Sequence, residues 1–236
     1  VDGAETRRAR QTACRVWGNE VSVLSGDYLL AMAFHRLTKL RYPEVLELMS
    51  ETTTRMARGE LLQLTRSYKT ANEDDYFEII INKTACLFAT AIKTGALLAG
   101  ASGKSADLMY DYGMAIGISF QIVDDALDYS DEKKTGKPVG GDLQERKITL
   151  PLSHLREQAN VSDRKRLDLI LAQAIIEKPQ IEEVTCLMKR YGSIDYTLAH
   201  SREYAAKARQ YIANFPDTEL RQSLACIADY IVSRQD

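Results

Sequence analysis

Proline and glycine are scarce, 5 and 13 in 236 residues, and they cluster between long stretches with helical apolar spacing. Runs of alternating β-branched residues are nearly absent, so nothing in the pattern supports strands. Long apolar runs are missing too. The longest, such as Met114 to Val123, falls short of the roughly 20 residues a transmembrane helix needs. Val1 to Arg10 carries no apolar segment of the kind that marks a secretory signal. Neither sign of charge dominates: 31 Lys and Arg against 33 Asp and Glu leave a net charge of −2. Nucleic acid is therefore not expected as a partner, because phosphate binding rests on clustered excess Lys and Arg. The four cysteines (Cys14, Cys86, Cys186, Cys226) lie far apart and form no Cys-X-X-Cys pattern. They read as small apolar residues on helices in a reducing cytoplasm, and a zinc site is not expected.

What is present is helix. Helical periodicity covers about Trp17–Leu40, Glu44–Ser67, Glu73–Leu98 and Ser105–Tyr129. It resumes near Pro151 and recurs over Ser162–Glu177, Gln180–Tyr191, Ile194–Asn214 and Asp217–Ser233. The acidic turn Glu73-Asp74-Asp75, the Ser162/Asp163 pair and Asp217 after Pro216 look like helix starts. Phe88–Ala99 and Met114–Val123 are apolar nearly all round, as helices inside a large bundle are. No linker-like composition divides the chain. The expectation is all-α, a single helical domain over residues 1–236.

One segment stands out, Ile118-Ser-Phe-Gln-Ile-Val-Asp-Asp-Ala-Leu-Asp-Tyr129. On a helix Asp124 and Asp128 are i,i+4 neighbours on one face, with Asp125 turned away by about 100°. Like charges at that spacing destabilise a helix, its C-terminal dipole disfavours anions, and apolar neighbours raise the cost of unpaired carboxylates. Two readings follow. The acids are a solvated helix end paired to Lys133, Lys134 or Lys137, or they are a hard-cation site suited to Mg²⁺ and completed by substrate phosphates. Lys137 and Lys147 flank a loop with Gly136, Gly140 and Gly141, which lacks the Walker spacing of a nucleotide P-loop. Arginines in Glu5-Thr-Arg-Arg-Ala-Arg10 suit diphosphate oxygens, and Lys83-Thr84 is a polar pair within a helical stretch.

Together these segments resemble the trans-polyprenyl diphosphate synthase family. Phe120-Gln121 followed by Asp124-Asp125-Ala-Leu-Asp128 resembles its second aspartate-rich motif. Thr135-Gly-Lys-Pro-Val-Gly-Gly-Asp-Leu143 and Lys147-Ile-Thr-Leu-Pro151 resemble the segments after it. Arg7-Arg8, Gly18-Asn-Glu, Gly26-Asp-Tyr-Leu29, Gly59-Glu-Leu-Leu-Gln63 and Lys83-Thr84 match in order. Val1-Asp2 looks like the end of the first aspartate motif, so the sequence reads as a fragment lacking the family's N-terminal helices. Arg146 is a second departure, standing where a glycine is common before the lysine that matches Lys147.

The resemblance implies the isoprenoid synthase fold, a large helical bundle around a central cavity. It also implies Mg²⁺-dependent condensation of isopentenyl diphosphate with an allylic prenyl diphosphate. Asp2, Asp124, Asp125 and Asp128 would hold metal, and Arg7, Lys83, Lys137 and Lys147 would neutralise the allylic diphosphate. Arg8 would bind isopentenyl diphosphate, and Thr84 and Gln121 would line the cation's path or contact diphosphate. Glu60 and Gln63 would sit near metal-bound waters, and Tyr28, Leu29, Met32, Ala33 and Phe34 are candidates for a product tunnel or for ordinary core. A homodimer in the cytoplasm, making a medium- or long-chain product, is the implied setting. The alternatives are a short-chain (farnesyl or geranylgeranyl) synthase, a terpene cyclase, and a non-catalytic partner of a heteromeric synthase.

Overall fold

The computed structural model describes residues 6–7, 10–66, 72–130 and 139–234. It divides into two compact units, Val1–Ser50 and Glu51–Asp236. In the first, a two-residue antiparallel ladder pairs β1 (Thr6–Arg7) with β2 (Arg10–Gln11), in the register Thr6↔Gln11 and Arg7↔Arg10. This is the one strand pairing among the described residues, a small addition to the all-α expectation. Thr12 caps α1 (Ala13–Trp17) by accepting from the Arg15 N–H, and Gly18 turns the chain at φ +84° into α2 (Asn19–Lys39). Then α3 (Pro43–Thr65) carries the chain across the division between the units.

The second unit is helical throughout. Its elements are α4 (Glu73–Ile80), a π-helical turn (Ile81–Ala85), α5 (Cys86–Leu98), α6 (Gly103–Leu127) and the short α7 (Gly141–Gln144). There follow α8 (Leu150–Gln158), α9 (Val161–Leu171), α10 (Lys178–Arg190), α11 (Ser193–Ile212) and α12 (Glu219–Ser233). Asn72 and Asp75 close a reciprocal capping box at α4, as the acidic turn led one to expect. The other two starts shift slightly: Asn160, not Ser162, caps α9, and Thr218, not Asp217, caps α12. In both cases the cap's side-chain oxygen accepts the orphan N–H three residues on, Asp163 for Asn160 and Arg221 for Thr218.

The centre of this unit is α6, packed against α5 on one side and α11 on the other. Small residues set the first approach. A Cβ on Gly113 would stand 2.7 Å from Ala89 Cα, and one on Gly117 would stand 2.6 Å from Ala85 Cα. On the other side the buried hydroxyls of Ser119 and Ser201 pair at 2.9 Å. Tyr112 reaches from α6 to the Leu224 carbonyl at 2.8 Å, tying in α12. Around α6 lie two apolar clusters, one with Tyr76, Ile118, Ile122 and Leu150, the other with Ile116, Val123, Ala208 and Ile231. No helix among the described residues is long and apolar enough to cross a membrane.

Candidate active site

The acidic motif closes α6, and its three carboxylates face three environments. Asp125 points inward and is only 5% exposed; the Gln121 amide donates to it at 2.8 Å. Asp124 is half-exposed and accepts from Arg234 at 3.2 Å. Asp128 is the C-cap residue of α6, and its Oδ2 accepts the Asp142 N–H at 2.9 Å. Burial, then the neighbouring Asp142 charge, push Asp125 well above the usual carboxylate range, against the pull of the Gln121 bond. The same two causes bring Asp128 up to about 7. Tyr76, fully buried on α4, is raised by burial and then by the Asp125 charge.

A continuous α-helix was expected through Lys83-Thr84, and the structure corrects this. The chain makes a π-helical turn over Ile81–Ala85, whose extra residue per turn offsets the side chains that follow. Lys83 thereby faces α3, where its Nζ lies 2.8 Å from Glu60 and 3.1 Å from Gln63 Oε1. Thr84 faces α6, and its hydroxyl donates to Gln121 Oε1 at 3.0 Å. Thr84, Gln121 and Asp125 thus form one hydrogen-bonded chain across two helices. Only a glycine fits opposite the turn: a Cβ on Gly59 would stand 2.5 Å from the Lys83 backbone nitrogen. Glu60 and Gln63, expected beside metal-bound water, are in contact with Lys83. Such a part-exposed ion pair contributes roughly 0–1 kcal/mol, so its effect is placement of the lysine more than stability.

The segment after α6 returns to the acids. Gly140 donates its N–H to the Asp128 carbonyl at 2.8 Å and adopts φ +79°. A Cβ there would collide with Ile181 at 2.3 Å, so position 140 needs glycine. Lys147 holds Asp142 at 3.1 Å and Glu145 at 2.5 Å, and those carboxylates outweigh burial and raise the lysine's pKa. Arg146 sits at φ +59°, a left-handed conformation that costs a non-glycine residue roughly 1–2 kcal/mol. Its guanidinium donates to the Gln173 and Ala174 carbonyls at 2.6 and 2.9 Å. Charge-assisted bonds contribute roughly 1.5–3 kcal/mol each, enough to offset the strain.

Of the expected site residues, the structure joins Thr84, Gln121 and Asp125 directly, and links Asp128 to Lys147 through Asp142. Lys83 adjoins Thr84 in sequence and bonds to α3. Asp2, Arg8 and Lys137 lie outside the described residues, as do Lys133 and Lys134; of Arg7 the backbone alone is described, in β1. Asp142, Tyr76 and Arg234 were not singled out as site residues. Asp142 had a signal, its place after two glycines in a family-like segment. Arg234 had none: it comes from the end of the chain, stacks 4.2 Å over the Phe120 ring and meets Asp124 from 110 residues away.

Among the described residues, no three His, Cys, Asp or Glu side chains converge tightly enough to hold an ion by themselves. The donor set nonetheless fits a shared cation. Four acids, Asp124, Asp125, Asp128 and Asp142, gather at one helix end against Lys147 and Arg234, and three of them are held above the usual carboxylate range. Mg²⁺ takes one or two carboxylates and completes its shell with substrate phosphates and water.

Comparison with known proteins shows the class, a prenyltransferase of the isoprenoid synthase fold. A family model for polyprenyl synthetase matches residues 1–188, and the chain belongs to that family. It is 36% identical over 236 residues to the octaprenyl diphosphate synthase of Haemophilus influenzae, covering 99% of this chain and 71% of that protein. Heptaprenyl diphosphate synthase component 2 of Bacillus subtilis is 35% identical over 239 residues, covering 100% of this chain and 67% of that protein. A crystal structure of a decaprenyl diphosphate synthase from Rhodobacter capsulatus superposes with a TM-score of 0.92 at 36% identity, over 100% of this chain and 73% of that one. A Caulobacter crescentus polyprenyl synthase complexed with calcium and isoprenyl diphosphate also gives 0.92, at 35% identity over 100% and 72% of the two chains.

Proposed function

We propose that this chain condenses isopentenyl diphosphate with an allylic prenyl diphosphate in a Mg²⁺-dependent reaction, giving a medium- or long-chain trans-polyprenyl diphosphate. The observation that carries the reading is the hydrogen-bonded chain Thr84–Gln121–Asp125, with Lys83 held beside it and Lys147 beside Asp142. Asp124, Asp125, Asp128 and Asp2 would hold the ion, which when bound supplies positive charge to the leaving diphosphate. Lys83, Lys137, Lys147 and Arg7 bind that diphosphate, and Arg8 binds isopentenyl diphosphate. Thr84 and Gln121 hold Asp125 and line the allylic carbon's path. The allylic C–O bond breaks, the isopentenyl double bond forms the new C–C bond, and the proton lost goes to the departing diphosphate. No histidine is needed; His154 pairs with Ser193 and stacks on Tyr196, and His200 lies against the same ring.

The reading includes a homodimer in the cytoplasm as a single prenyltransferase domain. Exposed apolar residues along α2, with no buried residue in that helix, support the dimer, and four free thiols suit a reducing compartment. One relative, the Bacillus subtilis protein, is component 2 of a heptaprenyl diphosphate synthase, which favours a second reading, in which the chain works beside a different subunit. The test is labelled isopentenyl diphosphate with farnesyl or geranylgeranyl diphosphate, given to the natural full-length protein with and without Mg²⁺. Product of medium or long chain, about six isoprene units or more as in the relatives, is expected only with the ion. Absence of any elongated product from the protein alone, and its appearance on adding another subunit, would favour the second reading.

A further inference from the structure

We propose that Arg146 is the positioning residue for Lys147, acting as a clamp between the acidic end of α6 and the turn after α9. The proposal rests on Lys147 binding a substrate diphosphate. The segment that brings Lys147 to the site is tied at its start to α6, through Gly140 N–H on the Asp128 carbonyl and Asp142 N–H on the Asp128 carboxylate. Its later part is anchored by Leu143 and Ile148 in the core, while its backbone bonds mainly within the segment, with Lys147 N–H on the Asp142 carbonyl at 2.9 Å. Arg146 supplies a tie elsewhere. Its left-handed φ of +59° leads its side chain to the turn after α9, where one guanidinium nitrogen meets two carbonyls.

Those carbonyls belong to Gln173 and Ala174, just past the C-terminus of α9, where the helix dipole favours a cation. The turn is itself held. Gln180 on α10 donates to the Gln173 side chain and accepts the Glu177 N–H at 2.7 Å. A glycine would enter positive φ without strain but would give the segment nothing to hold. Arginine at this position therefore trades local backbone comfort for a fixed neighbour to Lys147.

The test is steady-state kinetics and thermal melting of R146A, R146G, K147A and the R146A/K147A double variant in the full-length protein. Both Arg146 variants should raise KM for one diphosphate substrate about tenfold while kcat stays within about twofold. K147A should raise the same KM, and adding R146A to it should change nothing further, because both act through one group. If both Arg146 variants lower the melting temperature and leave both KM values unchanged while K147A raises one, the clamp is merely structural and the proposal is overturned. An Arg146 effect that persists in full in the K147A background overturns it too. If K147A leaves both KM values unchanged, the role given to Lys147 fails, and the proposal falls with it.

Discussion

α2 and α6 are both long and largely apolar, yet they treat their side chains in opposite ways. α6 buries twelve residues, and its buried polar groups have named partners: Ser119 with Ser201, Asp125 with Gln121. α2 buries none, and Tyr28 and Leu29 stand 65% and 68% exposed. Those two were candidates for a tunnel wall or core, and within the first unit they are not core. The contrast shows what apolar pattern alone means. It records a demand for cover in both helices, whereas the partners of the polar residues record what α6 is for.

Substitutions at the acidic end of α6 should have the largest effect. Asp128→Ala should lower kcat/KM on the order of 10³-fold with helicity by circular dichroism intact. Thr84→Val leaves the part-buried Gln121 Oε1 without that donor and should cost about 10–100-fold in kcat/KM. Gly117→Val, which drives a side chain into Ala85, should cost about 3 kcal/mol or more, read as a fall of about 2–4 °C per kcal/mol in melting temperature. The acids also predict a pH effect. Asp128 goes from an ordinary 3.8 to about 7 in the fold, so between those values the folded chain keeps a proton the unfolded chain has lost. Metal-free protein should therefore lose stability as pH rises from about 4 to about 7, and a divalent cation should reverse the trend in melting temperature. Smallest is the effect of Leu29→Ser in α2. Within about 0.5 kcal/mol it should leave the unfolding free energy of the isolated chain unchanged, while light scattering shows loss of dimer.

Much of this was legible in the residues. Helix type and the long helices followed from 3.6-residue spacing, but the short α1 and α7 and the division of Glu73–Leu98 did not, and the acids of Asp124–Asp128 stood out because a helix end disfavours them. What escaped was whatever depends on long-range contact or on a change of helical period. The π-turn at Ile81–Ala85 has no apolar signature, because Phe88–Ala99 beyond it is apolar nearly all round and hides the shift in phase. Arg234 meets Asp124 from 110 residues along the chain, and no local pattern encodes that. Arg146 was noticed as a departure from glycine, but its reason lies in two carbonyls 27 and 28 residues away.

The central claim is that the acids ending α6 are held there for a divalent cation shared with a diphosphate. A crystal structure of the full-length protein with Mg²⁺ and an unreactive thio-analogue of an allylic diphosphate tests it most directly. The account predicts an ion about 2.1 Å from carboxylate oxygens of the Asp124–Asp128 motif and from the analogue's phosphates. An analogue bound with no ion at that motif, and Asp124 still paired to Arg234, would contradict it.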